Sequence, residues 1–172
     1  MELSVDQSSR LKPLVFVGCT AILAERLLPD AVVVCRDGDI ESIGQSRTIP
    51  EGSQVIDLQG AYLSPGFVDL HVHGGDGADF MDGDVQAVRT AAAAHLRGGS
   101  TTIFPTSTTG SPQHIHRMID ACMEVARESA QHLAATSPPV TSSVLPHLPG
   151  IHLYGAFIAE GKVGCHDHRG RR

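Results

Sequence analysis

The chain has 172 residues, 41% hydrophobic and 19% charged, with a formal net charge of -6. That length supports one ordinary domain with a real core, and the composition excludes a disordered chain. The negative balance favours neither nucleic acid nor an anionic membrane as partner, and no apolar run reaches the roughly eighteen residues of a membrane span.

The N-terminus, "MELSVDQSSRLKP", has no basic stretch leading into an apolar one, so no signal peptide is expected. Residues 1–13 read as a loose leader. From Leu14 to Ile43 the text is β-like: "LVFVGCTAIL" and "AVVVCRDGDIESIG" are rich in Val and Ile, and Asp37-Gly38 favours a tight hairpin. "SQVIDLQGAYLSPG" continues in short strand-like pieces up to the break at Pro65-Gly66. Residues 14–65 therefore form a small sheet module.

After Gly66 the rhythm changes. "FVDLHV" is a short strand that runs into the glycine loop "HGGDGADFMDGD". "DVQAVRTAAAAHLRGG" is alanine-rich, opens on acidic residues and stops at Gly98-Gly99, which predicts a helix. "STTIFPTST" is β-branched and cut by Pro105. "SPQHIHRMIDACMEVARESAQHL" places Ile115, Met118, Ile119, Cys122 and Val125 at helical spacing, with Ser111 as N-cap and Pro112 at the first helical position. A Pro/Ser/Thr-rich loop follows, and "GIHLYGAF" reads as a third short strand. Strand, helix, strand, helix, strand is the pattern of a parallel α/β sheet.

In such sheets functional residues gather at the carboxyl ends of strands. His71 and His73, Thr106–Thr109 and Tyr154–Phe157 all fall there. Alternate residues of a strand share a face, so His71 and His73 can point into one cavity and share a divalent cation. The plainer reading is two hydrogen-bonded histidines at a strand end. Asp69, on the same face, is either an acceptor that orients one of them or a strand-end carboxylate. The loop glycines Gly74, Gly75 and Gly77 permit either a tight turn or close approach to a ligand. "PTSTTGSP" can bind an anion at the following helix, though capping of that helix is the commoner use of such hydroxyls. His114, His116 and His147 read as surface residues. The four cysteines, Cys19, Cys35, Cys122 and Cys165, contain no CxxC pair and fit reduced thiols in the cytoplasm.

Together, "LSPGFVDLHVHGGDGADFMD", "GGSTTIFPTSTTGSP", "GIHLYGAFI" and "KVGCHD" resemble the N-acetylglucosamine-6-phosphate deacetylases of the amidohydrolase superfamily, from about Leu14 to Asp167. The resemblance implies a small β-sandwich module followed by a (β/α)8 barrel of the TIM type. Here the barrel would be incomplete, with about three strands and two helices in residues 66–172. It implies hydrolysis of the acetamide of an amino-sugar phosphate with the help of a divalent metal such as zinc or iron, in a cytoplasmic enzyme that is a homo-oligomer at full length. It implies His71 and His73 as metal ligands and Cys165 and His166 as substrate contacts.

Two departures bear on activity. The family reads "HLEGPF", with glutamate as a metal ligand, where this chain has Tyr154; Ala156 replaces the proline. A full barrel takes about 250 residues, and only about a hundred follow Gly66. The two later histidine ligands and the catalytic aspartate of the family are then expected to be missing, and no catalytic residue is identified in this chain. "HDHRGRR" also departs from the family's continuation, as a truncated or frameshifted reading frame would. An active deacetylase recorded in part, a non-catalytic or degenerate product with vestigial metal binding, and a dihydroorotase-like hydrolase of cyclic amides are the three functional expectations.

Overall fold

Asp37 and Gly38 have φ of 53° and 91°, the paired left-handed conformation of a two-residue hairpin turn. They join β2 (Leu27–Arg36) to β3 (Asp39–Gly44) in a computed structural model of the chain. It describes residues 12–45, 48–134, 144–155, 157–164 and 166–171, with only the backbone of 132–134. Most of the expected leader, much of the Pro/Ser/Thr-rich loop, Ala156 and Cys165 lie outside the described residues. Among those described, no helix is long and apolar enough to cross a membrane.

The chain divides into two compact units, Met1–Pro65 and Gly66–Arg172. The first holds one five-stranded sheet. β1 (Leu14–Ile22) lies antiparallel to β2 and parallel to β4 (Gln54–Asp57) and β5 (Tyr62–Leu63). The order is β3-β2-β1-β4, with β5 on the far end of β1. Alternation puts Val15, Cys19, Ala21 and Ala31 in the core. Phe16, Val33 and Ile43 fall in register across three strands, and Ile43 is exposed.

In the second unit, β6 (Phe67–Val72) pairs in parallel with β9 (Ser100–Pro105). The glycine loop between them is a tight hairpin: β7 (Gly74–Gly75) folds onto β8 (Ala78–Asp79) through Asp76-Gly77. A 3-10 turn at Phe80–Asp82 follows, closed by reciprocal capping between Asp79 and Asp82. Helix α1 (Val85–Arg97) starts on Asp84, whose carboxylate accepts from Ala87 N, and stops at Gly98. Helix α2 (Pro112–Ala134) starts on Ser111, whose hydroxyl accepts from His114 N at 3.2 Å. Both helix starts use short polar caps for otherwise unpaired N–H groups.

The core of this unit joins Val72 and Ile103 from the strands to Phe80, Val88, Ala91 and Ala92 on one side of the sequence. Met118, Ala121, Cys122 and Val125 of α2, with Leu145 and Leu148, complete it. Burial pushes the Cys122 thiol up to about 12, so it packs as a small hydrophobe.

The expected third strand does not form as a strand. Among the described residues this segment pairs only through isolated parallel bridges, His147 with Thr102 of β9 and His152 with Thr106 just beyond it. His147 N donates to Thr101 O, Ile103 N to His147 O, His152 N to Pro105 O and Ser107 N to His152 O. Between those contacts stands Pro149, which has no N–H to give, so the ladder is interrupted there.

Candidate functional site

Of the hydroxyls in "PTSTTGSP", that of Ser111 caps α2, while those of Thr106 and Ser107 tie segments together. Thr106 Oγ1 accepts from Val72 N at 3.0 Å, and Thr106 N donates to Val72 O at 2.8 Å. Ser107, 1% exposed, holds the other side: its hydroxyl donates to Tyr154 O at 2.9 Å and accepts from Tyr154 N at 2.8 Å. The carboxyl end of β6, the end of β9 and residues 152–155 are thereby fixed around one point. Ser107→Ala would leave two backbone groups of Tyr154 unpaired. We expect it to cost about 1–3 kcal/mol in urea unfolding, and a loss under about 0.5 kcal/mol would contradict this wiring.

At that point His71 and His73 meet, with Nε2 atoms 3.0 Å apart and ring centroids at 4.9 Å. Asp69 does not orient either ring; its carboxylate accepts from His71 N at 3.1 Å. His73 Nδ1–H donates to the Thr106 carbonyl at 3.1 Å, since a carbonyl only accepts. In the neutral tautomer its Nε2 carries the lone pair and accepts from His71 Nε2–H.

His152 joins the group without having been singled out in the sequence. Its ring stands edge-on to His71 at 5.0 Å, and its Nδ1–H donates to Leu70 O at 3.1 Å. The available signal was its place two residues before Tyr154, on the face a third strand would have shared with it. Tyr154 lies 5.0 Å from the His71 ring and is 42% exposed. His166 is 5.2 Å from the Tyr154 ring. Cys165 lies outside the described residues. His114, His116 and His147 are exposed, as surface residues should be.

Two imidazole nitrogens bound to one zinc ion at about 2.0–2.1 Å stand about 2.9–3.4 Å apart, so the spacing at His71 and His73 fits two positions of a single ion. The next donor does not fit as well, because the phenol of Tyr154 is not among the usual protein ligands of zinc, which are thiolate, imidazole and carboxylate. Among the described residues no group of three or more His, Cys, Asp or Glu is placed to hold a metal. Asp167 is no proton acceptor for this site. Its hydrogen bonds with the Arg169 guanidinium and backbone hold the carboxyl down at about 2.

The chain is similar to an N-acetylglucosamine-6-phosphate deacetylase of Caenorhabditis elegans, 35% identical over 120 residues, which is 66% of this chain and 25% of that protein. It is similar over a shorter stretch to a dihydroorotase of Mycobacterium tuberculosis, 38% identical over 78 residues, 45% of this chain and 17% of the other. Among solved structures, an N-acetylglucosamine-6-phosphate deacetylase from Pasteurella multocida superposes with a TM-score of 0.76 at 24% identity, over 93% of this chain and 38% of that one. The chain thus spans well under half the length of the proteins it matches, and the last likeness establishes a shared mixed α/β fold. The profile of the Amidohydrolase family matches residues 62–156, more than half of the chain and all of β6 through Tyr154. The chain belongs to the amidohydrolase family.

Proposed function

We propose that the chain carries the first part of an N-acetylglucosamine-6-phosphate deacetylase, a hydrolase of a linear amide on an amino-sugar phosphate. The observation that carries this reading is the His71–His73 pair, 3.0 Å between nitrogens, at the carboxyl end of a parallel strand inside the family match. The deacetylase match also covers more of the chain than the dihydroorotase match, 120 residues against 78. In this reading β6 and β9 are the opening strands of an incomplete (β/α)8 barrel, and the five-stranded sheet is one layer of a small sandwich. Phe67, Val68 and Leu70 of β6 support it, being 66%, 61% and 63% exposed. Parallel strands are normally covered on both faces, so that much open apolar surface fits a strand whose covering layer is not among the described residues.

His71 and His73 would hold a divalent ion by Nε2, with His73 oriented through its Nδ1–H on Thr106 O. When bound, such an ion lowers the pKa of its water and polarises a carbonyl. His166 would contact the sugar, with Cys165 beside it in sequence. None of the described groups at the pair is a carboxylate free to move a proton.

The test is titration and turnover with the 172-residue chain. Zinc should bind and be lost in the His71→Ala/His73→Ala double variant. N-acetylglucosamine 6-phosphate should bind in preference to dihydroorotate. Acetate release should stay far below the roughly 1 s-1 floor of ordinary enzymes. Preference for dihydroorotate would overturn the substrate assignment, and enzyme-like acetate release would overturn the account of a site without its acid/base.

A further inference from the structure

Two buried side-chain atoms beside the histidine group have no hydrogen-bond partner among the described residues: Oγ1 of Thr109 and Nδ1 of His166. Thr109 is 6% exposed. Buried polar atoms in native proteins are nearly always paired, so an orphan of this kind calls for a partner from outside the chain. The other three hydroxyls of the run are engaged within the protein. Thr106 bonds Val72 N and Phe104 O, Ser107 bonds Tyr154, and Thr108 donates to Thr109 O at 3.4 Å.

The two orphans belong to one place. Gly155 sits between their residues with φ of 92°. A Cβ built on it would stand 3.1 Å from Thr109 N and 3.3 Å from His166 Cε1, the ring carbon bonded to Nδ1. Only glycine at 155 lets the imidazole come this close to the Thr108-Thr109 backbone. The 3-10 turn His168–Gly170 packs against the same backbone. A Cβ at Gly170 would lie 2.5 Å from Gly110 N and 2.7 Å from Thr109 C. His166 in turn abuts Tyr154 at 5.2 Å, and Tyr154 abuts His71 at 5.0 Å. The orphan pair therefore adjoins the proposed reaction site without being part of the His71–His73 pair.

We propose that Thr109 Oγ1 is a ligand-positioning group that, together with His166 Nδ1, takes one oxygen substituent of the bound sugar phosphate. A hydroxyl both donates and accepts, and the imidazole nitrogen supplies one role or the other. A sugar hydroxyl or a phosphoryl oxygen satisfies both atoms; an apolar group satisfies neither. The identity of the ligand rests on the deacetylase reading, whereas the oxygen-binding role of Thr109 rests on the two orphan atoms.

The experiment compares the full chain with Thr109→Val, which keeps the volume and removes the hydroxyl, and with Thr109→Ser, which keeps the hydroxyl. N-acetylglucosamine 6-phosphate, N-acetylglucosamine and inorganic phosphate are titrated calorimetrically, and melting temperatures are recorded without ligand. Thr109→Val should weaken binding of the sugar phosphate about fivefold or more, the loss of one hydrogen bond. Thr109→Ser should restore it. The ligand-free melting temperature of Thr109→Val should not fall, because no bond within the protein is removed. Whichever of the other two probes shares the Thr109 dependence identifies the oxygen as a sugar hydroxyl or a phosphoryl oxygen. Equal binding by wild type and Thr109→Val overturns the proposal and leaves the deacetylase reading standing. Thr109-dependent binding of phosphate or N-acetylglucosamine, with none of the sugar phosphate, overturns that reading and upholds the role of Thr109. No binding of any probe overturns both.

Discussion

Tyr154→Glu should tighten zinc binding by about tenfold or more, equivalent to about 1.4 kcal/mol or more. The wild-type chain offers an ion two neutral nitrogens, and sites that hold zinc well use three or four protein ligands. Its dissociation constant should therefore lie in the micromolar range or weaker. Tyr154 stands at the third position, 5.0 Å from the His71 ring. Its phenol is not among the usual zinc donors, which are thiolate, imidazole and carboxylate. Glutamate brings a hard anionic oxygen. At 42% exposure the site can take the carboxylate without burying it dry. Zinc titration with a competing chelator measures the change. Unchanged affinity would mean that residue 154 does not face the ion, and the equivalence of "HLYGAF" with the family's glutamate motif would fall with it.

Phe80→Ala should remove about 3–5 kcal/mol of stability, a large part of the roughly 5–15 kcal/mol that holds an ordinary domain. Phe80 is 0% exposed and joins α1, α2 and the end of β6 in one core. Its place on a single-turn helix fixed by Asp79 and Asp82 leaves little room for neighbours to collapse into the cavity. The same turn supports the site, because Phe80 N donates to His73 O at 2.9 Å. Loss of the ring should therefore loosen the His71–His73 pair before the whole unit unfolds. Urea denaturation followed by circular dichroism gives the stability change. Phe80→Leu should cost distinctly less. A loss below about 1 kcal/mol in Phe80→Ala would show that the core is not organised around this ring.

Local chemistry explains which features could be read from the sequence. Asp84 and Ser111 announce α1 and α2 because a short side chain that accepts from a free N–H works the same way in any context. Asp37-Gly38 announces its hairpin for the same reason. The nearness of His71 and His73 follows from strand geometry. What the sequence concealed depends on partners distant along the chain. "GIHLYGAF", residues 150–157, reads as a strand, but Pro149 just before it withholds a donor between the contacts of His147 and His152, so only bridges form. Thr106 and Ser107 resemble capping residues, yet their hydroxyls bond Val72 and Tyr154, 34 and 47 positions away. His152 has no local motif at all. Its ring is placed by Leu70 O across 82 positions.

That last separation has a consequence for the order of events on the ribosome. His71 and His73 leave the exit tunnel long before His152, Tyr154 or the loop-closing Ser107 contacts can exist. At about 5–20 residues per second, the 82 positions between Leu70 and His152 correspond to roughly 4–16 s of synthesis. During that interval the pair is a bare dyad on a nascent strand, while the helices around Phe80 have time to form. The five-ring cluster can close only after His166 has been made, when its scaffold is already built.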